Sequence, residues 1–181
     1  MAKNVGKKFE SIVKDDCPDY VKVTRIPDPP HSFTQRSDTS FSRKNPYDYE
    51  IFDSLHRIQY CLELKSTSQK YLSYQTSKED DKNTNIQWHQ IDGLTKASEF
   101  DNVIAGFLCN FRLDNGEQLL YFLHIKDFNR FKKDTNKRSI NIMDIVLYGG
   151  IKINGTKKRI NYHWDLSGFF ESQSNVYPII V

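Results

Sequence analysis

The chain has 181 residues, 27% of them charged and 38% hydrophobic, with 12 Phe and 10 Tyr. That is enough apolar material for one domain with its own core, and it excludes a disordered chain. No apolar run approaches the ~18 residues of a membrane helix, and the N-terminus "MAKNVGKKFE" has no apolar segment, so neither a membrane partner nor a secretory leader is expected.

Cys17, Cys61 and Cys109 are widely spaced and make neither a zinc pattern nor a disulfide framework, which points to a cytoplasmic protein. The net charge of +3 is mild, but it is unevenly placed. Lys3, Lys7, Lys8 and Lys14 face only Glu10 near the N-terminus, and residues 21–45 carry Lys22, Arg25, Arg36, Arg43 and Lys44 against Asp28 and Asp38. The first quarter of the chain is therefore a candidate phosphate-contacting region; the plainer reading is a solvated basic surface.

Residues 3–16 read as a helix, with Val5, Phe9, Ile12 and Val13 at helical spacing and "CPDY" ending the pattern. "YVKVTRI" alternates as a strand does. "PDPPHSFTQRSDTSFSRKNP" follows, an irregular connection of a length that compact domains rarely keep without a use; it is either a projecting arm or a disordered loop. "YDYEIFDS" and "RIQYCLELKST" read as two strands of an antiparallel hairpin turning at Ser54–His56. A polar loop is expected over 68–85 and a helix over 86–100, from Ile86 to Phe100. "NVIAGFLCNFR" is apolar enough to be a strand buried on both faces, and "EQLLYFLHI" pairs with it across an Asp114–Gly116 turn. "KDFNRFKKD" reads as a short amphipathic helix, "INIMDIVLYG" as another, and a final strand region extends to about Trp164. The order predicts a single α/β domain with a mixed sheet.

Glu63 and Lys65 stand two residues apart on one strand. Both therefore project from the same face, roughly 6–7 Å apart along the backbone, while Leu62, Leu64 and Ser66 face the other way. If the hairpin turns at Ser54–His56, facing residues sum to about 110, and Asp48 falls opposite position 62, beside Glu63. Glu50 and Asp53 are rival carboxylates, Glu50 on the face of Asp48 but nearer the turn and Asp53 on the opposite face. Two carboxylates and a lysine on one patch suit metal-assisted phosphodiester hydrolysis: hard oxygens bind Mg²⁺ weakly and leave positions open, and a lysine orients or deprotonates the attacking water. An E-x-K pair alone is more often an exposed polar face. No phosphate-binding glycine loop, nucleotide fingerprint, serine elbow or H-x-x-x-H spacing is present, so no nucleotide cofactor or zinc chemistry is expected.

The stretches "NPYDYEIF", "CLELKST" and "WHQIDGLTKASEFDNVIAGFLCNFR" resemble the RecU family of Holliday-junction resolvases, in the form found in Gram-positive bacteria and their phages, over about residues 5–165. The resemblance implies the PD-(D/E)xK nuclease fold: a restriction-endonuclease-like mixed β-sheet flanked by helices, with a projecting stalk inserted at residues 27–44. It implies that Asp48 and Glu63 ligate Mg²⁺, with Mn²⁺ a possible substitute, and that Lys65 serves the water. Tyr47 intervenes between Pro46 and Asp48, a departure from the family pattern. Glu10 matches a carboxylate that approaches the metal in related nucleases, or is a surface glutamate beside Lys7 and Lys14. Gln90 matches a glutamine that holds a phosphate or orients the site, and His89 is a weaker neighbour. Thr67 shares the Lys65 face and either contacts a phosphate or ends the strand. In the stalk and just before it, Arg25, Arg36, Arg43 and Lys44 suit phosphates, and Phe33 and Phe41 suit stacking or wedging at an open crossover.

The function implied is a crossover junction endodeoxyribonuclease of recombination and repair. It would act on branched DNA as a homodimer, because two symmetric nicks need two sites related by a two-fold axis. The alternatives are another endonuclease of the same fold, of restriction or repair type, and a non-catalytic DNA-binding accessory protein.

Overall fold

A computed structural model of the chain describes residues 5–27, 44–80, 83–159 and 161–176. Phe33, Arg36, Phe41 and Arg43, and the expected stalk except its two end residues, lie outside the described residues.

The central feature is a six-stranded mixed sheet in the order β1 (Val21–Arg25), β2 (Tyr49–Asp53), β3 (Ile58–Thr67), β5 (Val103–Arg112), β6 (Gln118–His124) and β8 (Ile151–Ile153). β3 and β5 run parallel; the other neighbours are antiparallel. A parallel pair needs a crossover, and here it contains β4 (Tyr71–Ser73) and helix α2 (Trp88–Ala97).

Side chains alternate across the sheet, so each face has its own core. One face packs Tyr60, Leu62 and Phe122 against Phe9 and Val13 of α1 (Val5–Asp15) and Phe169 and Phe170 of α5 (Leu166–Val176). The other packs Cys61, Phe107 and Cys109 with Ile91 and Leu94 of α2, and with Phe128 and Phe131 of α3 (Ile125–Asp134). β5 is buried on both faces, as its unbroken apolar run requires. This is the mixed sheet flanked by helices expected of a restriction-endonuclease-like fold. Among the described residues no helix is long and apolar enough to cross a membrane.

Two expectations about elements change, and one further element was not anticipated. The stretch 68–85 is not simply a loop: β4 pairs antiparallel with β7 (Ser139–Asn141), and Tyr74 bridges to Ile86. That bridge takes Ile86 out of the following helix, which starts at Trp88. Beyond Trp164 the chain forms α5, whose apolar residues Leu166, Phe169 and Phe170 have helical spacing in the first turn but are followed by the polar run "ESQSN". The remaining elements are the short helix α4 (Ile142–Leu147) and a β9–β10 hairpin (Gly155–Lys158, Asn161–Trp164).

The β2–β3 hairpin is set by its turn. Asp53, fully buried, accepts from the Leu55 and His56 backbone N–H groups (both 3.0 Å) and pairs with His56 Nδ1 at 2.7 Å. Arg57 takes φ 54°, the left-handed conformation that closes the turn. Facing residues of the ladder sum to 111, as in Tyr49↔Leu62 and Asp53↔Ile58, one more than the expected register. Asp48 N–H nevertheless also donates to the Leu62 carbonyl (3.1 Å), so Asp48 and Tyr49 both oppose Leu62 and the pairing bulges there.

Candidate active site

The bulge places Asp48 at the end of β2, where its backbone is held on both sides: its N–H by Leu62 and its carbonyl by the Ile26 N–H at 2.9 Å. Its carboxylate Oδ2 accepts the Leu64 N–H at 2.8 Å, standing where a backbone carbonyl would continue the ladder. Asp48 is thereby fixed against the strand that carries Glu63 and Lys65. Asp48 and Glu63 line one pocket of about 260 Å³, together with Lys44, Gln87, His89 and Gln90.

Glu63 is 3% exposed, an unusual place for a carboxylate without compensation. Lys65 Nζ lies 2.8 Å from Glu63 Oε1, and Gln90 Nε2 donates to the same oxygen. Gln90 is itself oriented: its Oε1 accepts the Gln87 N–H at 2.9 Å at the start of α2, which turns the amide nitrogen toward Glu63. Burial pushes the Glu63 carboxyl up to about 7, with Asp48 adding to the rise and Lys65 opposing it. Asp48 is also raised, chiefly by burial, against the Leu64 N–H and Lys65. One lysine does not offset a buried and a half-buried carboxylate.

The donor set fits a hard dication. Asp48 and Glu63 would supply carboxylate oxygens, and among the described residues no group of three His, Cys, Asp or Glu side chains converges to complete a protein cage, so water and phosphate oxygens would fill the other positions.

The remaining candidates separate. Glu10 does not line the pocket; it pairs with Arg25 at 3.1 Å, near enough to raise both Asp48 and Glu63. Of the rival carboxylates, Glu50 is bound by Tyr47 Oη at 3.0 Å opposite Cys61, and Asp53 is committed to its turn. Thr67 is buried, with its hydroxyl accepting the Gln69 N–H at 2.9 Å at the end of β3. Lys44 Nζ donates to Gln87 Oε1 at 3.2 Å at the pocket rim. His89 lines the pocket, and burial with nearby Lys44 and Lys65 pushes its imidazole down to about 4. Gln87 and Asn45 were not anticipated. Gln87 stands three residues before Gln90 at a helix start, a spacing that points to a cap; Asn45 binds the Ile26 and Pro27 carbonyls (3.4 and 2.9 Å) and ties the pocket wall to β1.

Fold and site together define a mixed-sheet α/β protein with a buried glutamate, a half-buried aspartate and a lysine at the bulged end of a hairpin. The chain is 31% identical over 178 residues to the SPbeta prophage-derived uncharacterized protein YotM of Bacillus subtilis (strain 168), covering 92% of this chain and 85% of that protein, and it belongs to the YotM family. No family model matches the sequence. Among solved structures it is similar to Hjc of Archaeoglobus fulgidus, a Holliday junction resolvase from an archaeal hyperthermophile, at 14% identity and a TM-score of 0.41, covering 81% of this chain and 91% of that one.

Proposed function

We propose that the protein is a Mg²⁺-dependent endonuclease of the PD-(D/E)xK type that resolves four-way DNA junctions by paired nicks in recombination and repair. The observation that carries the nuclease reading is the convergence of Asp48 and the buried Glu63 in one pocket with Lys65 against Glu63. The junction substrate and the RecU-type assignment rest on the sequence resemblance, and with them a homodimer with two sites.

Asp48 and Glu63 would hold the metal, which would supply Lewis-acid stabilisation of the phosphoryl oxygens and a more acidic water. Asp48 is held for this by the Leu64 N–H. Lys65, on the same strand face, positions the attacking water and takes its proton or counters the charge growing on the phosphorus oxygens. Gln90 fixes the Glu63 carboxylate by its amide N–H and keeps it from rotating into the pocket wall. Lys44 at the pocket rim and Arg25 on β1 meet the phosphates of the incoming strand.

Asp48→Asn and Lys65→Ala are expected to lower cleavage by about 100-fold or more while binding to the junction persists. Both are read by a gel assay of a labelled junction with Mg²⁺, against an EDTA control. Variants that cut as fast as the parent sink the catalytic assignment.

A further inference from the structure

We propose that the cleft between the end of β4 and the C-terminal end of α3 is a second DNA-backbone site, which takes a phosphodiester of the strand leaving the candidate active site. The inference rests on the nuclease reading above and extends it to residues outside the pocket.

The cleft has a volume of about 350 Å³, and its walls include Tyr74, Thr76, Lys132, Lys137 and Arg138. The Lys132 ammonium lies 4.9 Å from the centre of the Trp88 ring and 5.9 Å from that of Tyr74. Two aromatic faces hold this cation in place without neutralising it. Arg138 is exposed, and its backbone is anchored because its carbonyl accepts the Tyr74 N–H at 3.1 Å. Among the described residues neither Lys132 nor Arg138 makes an ion pair. Of the nearby carboxylates, Asp144 holds Lys137 at 2.6 Å, while Asp80 accepts the Thr76 and Ser77 N–H groups at 2.7 and 3.1 Å and keeps a charge that acts on both Lys132 and Arg138 without pairing with either. Lys132, Lys137 and Arg138 still outnumber Asp80 and Asp144, so the cleft keeps a positive excess for an external anion.

Position supplies the second argument. Trp88 opens α2 between Gln87 and His89, both of which line the pocket of Asp48 and Glu63. The ring that seats Lys132 therefore shares a helical turn with two residues of the pocket. In the proposal a strand whose scissile phosphate sits at Glu63 continues past this turn, and Lys132 and Arg138 take one of its further phosphates. Thr76 and Asn136 add neutral polar groups to the same cleft.

The test is binding of the full-length protein to a fluorescent four-way junction in EDTA, followed by anisotropy across a salt series. Arg138→Ala is the primary variant because its side chain is exposed; Lys132→Ala is the second, and Lys157→Ala on the exposed β9 strand is the control. Removing one phosphate-binding cation should make the slope of log K against log salt shallower by about one, with weaker binding at every salt concentration. That result is expected for Arg138→Ala and Lys132→Ala and not for Lys157→Ala. If the parent binds and both cleft variants keep its slope and affinity, the second site is wrong and the nuclease reading stands. If the parent binds no DNA, the nuclease reading fails and the second site with it.

Discussion

At the residue scale the site depends on polar groups whose partners are fixed. Glu63, Lys65 and Gln90 share one buried contact, and Asp48 is tied to the Leu64 N–H. The pair Glu63 and Lys65 was legible because strand alternation alone puts i and i+2 on one face. Gln90 was not legible from periodicity; it came from the family resemblance, and only the fold shows that its amide turns toward Glu63. The hairpin residue Asp53 illustrates the opposite case, a carboxylate that competes for the metal role in sequence and is structural in the fold. Asp53→Ala leaves two turn N–H groups and His56 without their acceptor, so it should cost about 2–4 kcal/mol, read as a lower urea midpoint with an unchanged m-value. His89 gives a pH prediction. Its imidazole is pushed from 6.5 down to about 4 by burial and by Lys44 and Lys65, so the unfolded chain takes up the proton before the folded one does. The stability it contributes is complete above pH 6.5 and is lost as pH falls to about 4. NMR titration of its ring should show a neutral imidazole at pH 5.5; a midpoint near 6.5 would contradict the burial argument.

At the element scale the candidate site is an agreement between a hairpin and a helix. The turn sets the register, the bulge sets Asp48, and α2 brings Gln87, His89 and Gln90 over the end of β3. The two parts meet at Gly93 and Pro46: a Cβ on Gly93 would stand 2.3 Å from Pro46 Cβ and 2.9 Å from the Pro46 carbonyl oxygen. Pro46 lies two residues before Asp48 and Gly93 three after Gln90, so this approach couples the segment that holds Asp48 to the helix whose Gln90 binds Glu63. Gly93→Ala should therefore lose about 1–3 kcal/mol by forcing α2 outward, despite the ~1 kcal/mol that alanine returns in helix propensity. Chemical denaturation together with the nicking rate checks this: both are expected to fall, and a variant as stable and active as the parent would mean that the helix does not need this approach. The register expected from the turn was one residue short, because Arg57 belongs to the turn and its left-handed backbone has no sequence signature of the kind glycine gives. β4 escaped notice because three residues of a strand are too few to show alternation, and its partner β7 lies far along the chain.

At the scale of the whole molecule, six strands in a mixed order with helices on both faces carry the pocket and the cleft on the side that packs α2 and α3. The mixed α/β class was readable from the succession of elements. The cleft was not, since Tyr74, Trp88, Lys132 and Arg138 are brought together only by tertiary packing, and the charge excess in sequence drew attention to the first quarter of the chain instead. The central claim is junction resolution by a metal-dependent nuclease, and one measurement bears on it most directly: mapping the nicks made in a mobile four-way junction with Mg²⁺, with a linear duplex of the same arms and an EDTA control. The account predicts nicks at symmetric positions on two like strands of the junction, none in EDTA, and little cutting of the duplex. Equal cleavage of duplex and junction, or cutting that survives EDTA, would contradict it.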